Sequence, residues 1–228
     1  MGLVLVRHGQ ASFASDDYDR LSDTGREQSH RLGDWMGRHG RKFTAVVHGG
    51  MRRHVGTLDA ICARIGAPLP TSAIDPRLAE FDHQAVFGAY LAAAPMHPGA
   101  IALRDRQLDQ REAILGFLHA ALSHWRLDEL DHAGESWQSF RSRCREAARD
   151  LAARAAEGAE VLVVTSAGVI AQIAAAALDL PDERCVELNL GLRNSAFCEL
   201  EPLASSLRLG SWNSLPHLAE ARELWTFL

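Results

Sequence analysis

Short unbroken apolar runs alternate along this chain with longer stretches whose apolar residues recur at helical spacing. Leu3-Val4-Leu5-Val6, Phe43 to Val47 and Val161-Leu162-Val163-Val164 read as strands buried on both faces. Between the first two, a helix starts at about Ser22, a suitable N-cap. It carries Leu32, Trp35 and Met36 on one face and ends near Gly37 and Gly40. A second helix runs from about Met51 with Val55, Leu58, Ile61, Cys62 and Ile65 as its core stripe, and stops at Gly66 and Pro68. That stripe puts Arg53 on the opposite side, in the helix's first turn.

From Pro76 to about Gly134 the pattern weakens around Pro95, Pro98 and Gly99, then resumes as one helix with Ile114, Leu115, Leu118, Leu122 and Trp125. This stretch, about residues 77–133, reads as a helical cap inserted into a single domain whose core is 1–76 and 134–228. Ser136 caps a long helix bearing Trp137, Phe140, Cys144, Ala147 and Leu151, which leads through Gly158 into the third strand. Two strands near Ala196 to Leu200 and Leu207 to Trp212 close the chain as a hairpin. Strands alternating with helices predict a three-layer α/β/α sandwich around a mostly parallel sheet, with its active site at the strands' carboxyl ends.

Composition narrows this frame. A length of 228 residues suits one domain with an insertion, and a net charge of −5 excludes the broad basic footprint of a nucleic-acid binder while allowing a local cationic pocket. Lys42 is the only lysine among the 24 basic residues, so a single arginine beside a histidine says little by itself. Cys62, Cys144, Cys185 and Cys198 form no CxxC pair, which predicts reduced, mostly buried thiols, no metal and a cytoplasmic protein. The uncharged run Val161 to Leu178 reaches the length of a membrane span, but it passes from strand to helical periodicity across Thr165, Ser166 and Gly168, so strand, turn and buried helix are expected instead. The amino terminus lacks the layout of a secretion signal. Oligomeric state stays open, a homodimer among the options.

The candidate chemistry gathers at the expected strand ends. Arg7 and His8 follow the first strand, Arg53 follows the second, and Ser166 follows the third at the start of a helix, where the amides of Ala167 and Gly168 face an incoming anion. Two guanidiniums and a helix amino terminus describe a pocket for a dianion, most simply a phosphoryl group.

These pieces occur in an ordered set. Val6-Arg7-His8-Gly9-Gln10, Leu21 to Gln28, Arg52-Arg53-His54-Val55-Gly56-Thr57, Leu78-Ala79-Glu80, Gly134-Glu135-Ser136 and Asn213 to Leu218 together resemble the histidine phosphatase superfamily, the phosphoglycerate mutase-like group with an RHG motif. The resemblance implies a phosphoglycerate mutase-like fold, no cofactor, a small phosphorylated substrate, and His8 as a nucleophile that forms a phosphohistidine. Arg7, Gly9, Arg53, Ser166 and Ala167 would hold the phosphoryl group. Glu80 would protonate the leaving alkoxide and then activate water. Asp82, two residues on, is its rival.

The chain departs from that pattern at Ser166. Relatives have a second histidine in the run after the third strand, where this sequence reads Thr165-Ser166-Ala167-Gly168. A hydroxyl can donate a hydrogen bond but brings no charge. Ser166, helped by His48 at the end of strand two, is expected to fill the role; His83 lines the insertion, and His217 packs or supports the site indirectly. The resulting expectation is a metal-independent phosphomonoesterase. Its alternatives are a phosphoglycerate mutase-type phosphotransferase, disfavoured because Phe81-Asp82-His83-Gln84 replaces the mutase run after the acid, and a weakly active or non-catalytic binder of phosphorylated ligands.

Overall fold

A computed structural model describes residues 2–12, 19–105, 107, 109–203 and 206–227. Its centre is a six-stranded sheet in the order β3-β2-β4-β1-β5-β6. β1 (Gly2–Arg7), β2 (Ala45–His48), β3 (Ala73–Ile74) and β4 (Glu160–Thr165) are parallel, and β5 (Phe197–Leu203) and β6 (Ser206–Ser214) run antiparallel as a hairpin.

The alternation within the central strands builds two cores. Leu3 and Leu5 of β1, with Val161 and Val163 of β4, face one layer made by α6 (Trp137–Ala156) and α7 (Ala167–Ala177). Val4, Val6, Leu162 and Val164 face the other, made by α1 (Asp23–Arg38) and α2 (Arg52–Cys62). Every residue of β1 is buried, as a strand covered by helices on both sides requires.

Caps fall where the sequence signals them. Ser22 and Ser136 accept the amides of Gly25 and Ser139 at the starts of α1 and α6. Val161 to Leu178 divides into β4 and the 11-residue α7, and no single described helix is long and apolar enough to cross a membrane.

Four expectations need correction. The second strand is Ala45–His48; Phe43 lies before it as a buried side chain. The buried stripe of α2 is His54, Thr57, Leu58 and Ile61, with Val55 and Cys62 exposed, and Arg53 is buried too. The middle stretch holds three helices rather than one: α3 (His83–Ala93), α4 (Pro98–Arg104) and α5 (Arg111–Arg126) share a separate apolar cluster of Tyr90, Ala100, Ala102, Ile114, Phe117, Leu118 and Ala121. A further helix, α8 (Asp182–Gly191), precedes the hairpin.

Candidate active site

The sheet register places the candidate residues. Arg7 on β1 pairs with Thr165 on β4, so His8 and Ser166 are the next residues out from neighbouring strands, and His48 ends β2 on the other side of β4. The His8 amide is tied to the Thr165 carbonyl at 2.9 Å. Gly9 follows where the chain passes so close to α1 that a Cβ would lie 2.2 Å from the Gly25 carbonyl oxygen.

His8 is held at both ring nitrogens. Nδ1 lies 2.7 Å from the Gly9 carbonyl oxygen, which can only accept, so Nδ1 carries the proton and Nε2 the lone pair. Arg53 Nε donates to that Nε2 at 3.2 Å. Burial, then the positive charges of Arg53 and Arg7, hold the imidazole pKa well below its ordinary value, so the ring stays neutral. Gly9 serves His8 through its carbonyl, while its own N–H goes to Thr57 Oγ1 at 3.0 Å and is already used.

The two arginines are oriented from outside. The Arg7 guanidinium donates to the carbonyl oxygens of Leu192 and, at 2.6 Å, Phe227. Arg53 Nη1 meets Asp19 Oδ1 at 2.7 Å, and the other Asp19 oxygen takes the amide of Arg52 at 2.8 Å, at the start of α2. Asp19 carries no motif, and sequence reasoning passed over it.

Glu80 is half-buried at the amino terminus of α7. Its Oε2 accepts the Gly168 amide at 3.0 Å and its Oε1 the Phe81 amide at 3.2 Å. Burial raises its carboxyl pKa above the ordinary value, outweighing the Gly168 amide, Arg53, the Phe81 amide and Arg7, which all pull it down. The segment carrying it is tightly fixed. Thr165 Oγ1 donates to the Leu78 carbonyl at 2.6 Å, Arg143 Nη1 bridges the carbonyls of Arg77 and Ala79 at 2.8 and 2.6 Å, and Glu135 grips Arg143 through two bonds of 2.7 and 2.8 Å. Asp82, by contrast, is exposed and caps α3 through the Ala85 amide at 3.0 Å.

Ser166 is fully buried, and Ala167 beside it opens α7. The ring that meets Ser166 is that of His54, whose Nε2 lies 2.7 Å from Oγ; His48 instead accepts the Gly50 amide on Nδ1 at 3.1 Å. A stripe that starts at Val55 hides His54. In the register 54, 57, 58, 61 the histidine stands on the buried face, and that spacing was the available signal. His83 is half-buried and near enough to feel Arg53 and Asp19. His217 lies in the last turns of the chain, 2.9 Å from Ser195 Oγ, and the Ser195 amide donates to the His8 carbonyl at 3.1 Å.

A neutral imidazole whose Nε2 accepts from Arg53, a second arginine, and a carboxyl at the amino terminus of α7 thus gather at the carboxyl ends of β1 and β4. Residues 3–114 and 108–215 match the model of the histidine phosphatase superfamily (branch 1). The chain belongs to that family. Among solved structures, this histidine phosphatase superfamily member is similar to YhfR of Bacillus stearothermophilus (20% identity, 95% of this chain and 98% of that one, TM-score 0.67). It is also similar to a phosphoglycerate mutase from Bacillus anthracis (16%, 96% of each chain, TM-score 0.66). A third is the mycobacterial glucosyl-3-phosphoglycerate phosphatase in complex with inorganic phosphate (25%, 95% and 99%, TM-score 0.63). No curated protein matches the sequence.

Proposed function

We propose that this protein is a metal-independent phosphomonoesterase that works through a phosphohistidine on His8. The observation that carries the reading is the state of the His8 ring, with its proton pinned on Nδ1 by the Gly9 carbonyl and its Nε2 lone pair facing the Arg53 guanidinium.

In this reading the phosphoryl group enters between His8 and the two arginines. The Nε2 lone pair forms the N–P bond as the ester P–O bond breaks, and the Arg53 N–H turns from Nε2 to a phosphoryl oxygen. Arg7, Arg53, the Ser166 hydroxyl and the Ala167 amide hold the charge of the transition state. Glu80 gives its proton to the leaving alkoxide; as a carboxylate it then takes a proton from the water that attacks phosphorus, the N–P bond breaks with its electron pair returning to His8 Nε2, and inorganic phosphate leaves. The segment His83 to Arg126 is the cap in this scheme and contacts the rest of the ester. Hydrolysis is favoured over mutase chemistry because Phe81-Asp82-His83-Gln84 follows the acid and Asp82 is committed to capping α3.

Rapid quenching during turnover of a ³²P-labelled phosphomonoester should trap an acid-labile, base-stable phosphoprotein, and His8→Ala should abolish both label and turnover. Activity should survive exhaustive chelation. Full turnover by His8→Ala, or a strict need for added metal, would overturn the reading; transfer of label to a second alcohol rather than to water would reassign it to a phosphotransferase.

A further inference from the structure

Ser166 occupies the N-cap position of α7, where a serine hydroxyl ordinarily accepts an amide of the first turn. It makes no such bond. The Glu80 carboxyl takes the Gly168 amide in its place, and the hydroxyl is turned instead to His54 Nε2, reaching across from α2. Neither side chain has any exposure to solvent, and the His54 ring lies 5.8 Å from that of His8, centroid to centroid. A buried capping residue that leaves its cap to bond a buried histidine beside the nucleophile needs an explanation.

The proton on His54 can be located. Its Nδ1 has no hydrogen-bond partner among the described residues. Were Nδ1 protonated, a buried N–H would be orphaned, whereas a proton on Nε2 leaves only a bare acceptor unsatisfied; orphaned donors are the rarer of the two. Burial, Arg53 and His48 hold the pKa of this imidazole well below its ordinary value, so it carries one proton only. Nε2–H therefore donates to Ser166 Oγ. The hydroxyl's own hydrogen is then not spent on His54, and a hydroxyl that accepts one strong bond donates a stronger one.

We propose that His54 is a positioning residue for phosphoryl transfer: it holds Ser166 as a hydrogen-bond donor to the phosphoryl group, so that a pair from α2 and α7 does the work of one histidine after β4. The inference rests on the phosphohistidine reading of the site. It explains why serine is sufficient at 166, since His54 fixes the hydroxyl's direction. It also assigns a role to a buried histidine that the covalent scheme leaves unused.

The test is a double-mutant cycle assayed with p-nitrophenyl phosphate, using Ser166→Ala, His54→Leu, His54→Gln and the double variant Ser166→Ala/His54→Leu. Ser166→Ala and His54→Leu should each lower kcat roughly tenfold or more with little change in KM, and the double variant should be no worse than either. His54→Gln should recover most of the activity, because its amide N–H can also donate to Oγ. In ¹⁵N-labelled wild-type protein the His54 ring should show its proton on Nε2, and orthovanadate should shift that resonance. Additive losses, a glutamine variant no better than leucine, or a proton on Nδ1 would each overturn the proposal. The spectrum needs no variant to fold. Phosphohistidine trapping in the wild type separates the two claims: label on His8 with an additive cycle removes only the role of His54, whereas no label in the wild type removes the underlying mechanism.

Discussion

Burial moves His8 and Glu80 in the directions that the proposed chemistry needs. The imidazole loses its proton more readily and the carboxyl keeps its own longer, because in both cases the charged form has given up water. Nearby cations then act oppositely on the two, assisting the shift at His8 and opposing it at Glu80. Activity on alkyl phosphates should thus fall on the acid side only below the lowered pKa of His8, and on the alkaline side as pH passes through the raised pKa of Glu80. Glu80→Gln should slow alkyl esters by about 10² or more and aryl phosphates much less, since an aryl oxide leaves without a proton, and the alkaline limb for alkyl esters should disappear. Rates on both ester classes across pH 4 to about 9 would check this; equal slowing of the two classes would move the acid's role elsewhere. Asp82→Asn should leave both rates near wild type, because its carboxylate is occupied at the start of α3.

Elements bring these residues together through bonds between short turns and strand ends. The turn Pro216–Leu218 carries His217, whose bond to Ser195 supports the residue that holds the His8 carbonyl. Burial, and secondarily Arg31, lower the His217 pKa to about 3. The unfolded chain takes up this proton near pH 6.5 and the folded one does not, so this site costs no stability above that pH. Below it, stability should fall by about 1.4 kcal/mol per pH unit until pH reaches the folded value. His217→Gln should remove about one proton from the slope of unfolding free energy against pH between 6 and 4, measurable by urea titration; an unchanged slope would mean that the ring titrates normally. Much at this scale was legible in the sequence. β1, α6 and β4 announce themselves through continuous or regularly spaced apolar residues that become fully buried. α8 did not, because it buries only Cys185 and Val186, and β3 is two exposed residues placed by pairing with β2. α3 is apolar on most sides and α4 is only seven residues long, so neither shows a helical stripe. His8, Arg53 and Glu80 were readable from their places in ordered motifs. Asp19 is not, since its contacts with α2 join segments far apart in sequence; for His54 the spacing of α2 signals burial, but the bond to Ser166 on α7 has no local signal.

Across the whole molecule, the polar machinery comes from the carboxyl edge of the sheet, while the helices α3 to α5 are cemented by an apolar cluster of their own. The strand order accounts for the first half of this division. β1 and β4 are parallel neighbours, so their carboxyl ends deliver His8 and Ser166 side by side, and β2 on the far side of β4 brings in α2 with Arg53 and His54. The second half has a consequence for specificity. That cluster is not isolated, since Val86 of α3 and Leu122 and Trp125 of α5 join the main core beside Phe81, and His83 at the start of α3 stands close enough to Arg53 and Asp19 to feel their charges while its ring sits 6.3 Å from that of Phe87. If the cap reads the alcohol portion of the ester, His83→Ala should alter kcat/KM unevenly, by roughly tenfold or more between bulky and small esters, with little effect on p-nitrophenyl phosphate. The unevenness is the discriminating quantity, because damage to the phosphoryl pocket would slow all substrates alike. A panel of phosphorylated sugars, glycerates and nucleotides assayed on wild type and variant would show it, and a uniform loss across the panel would place His83 with the phosphoryl-holding residues instead of the cap.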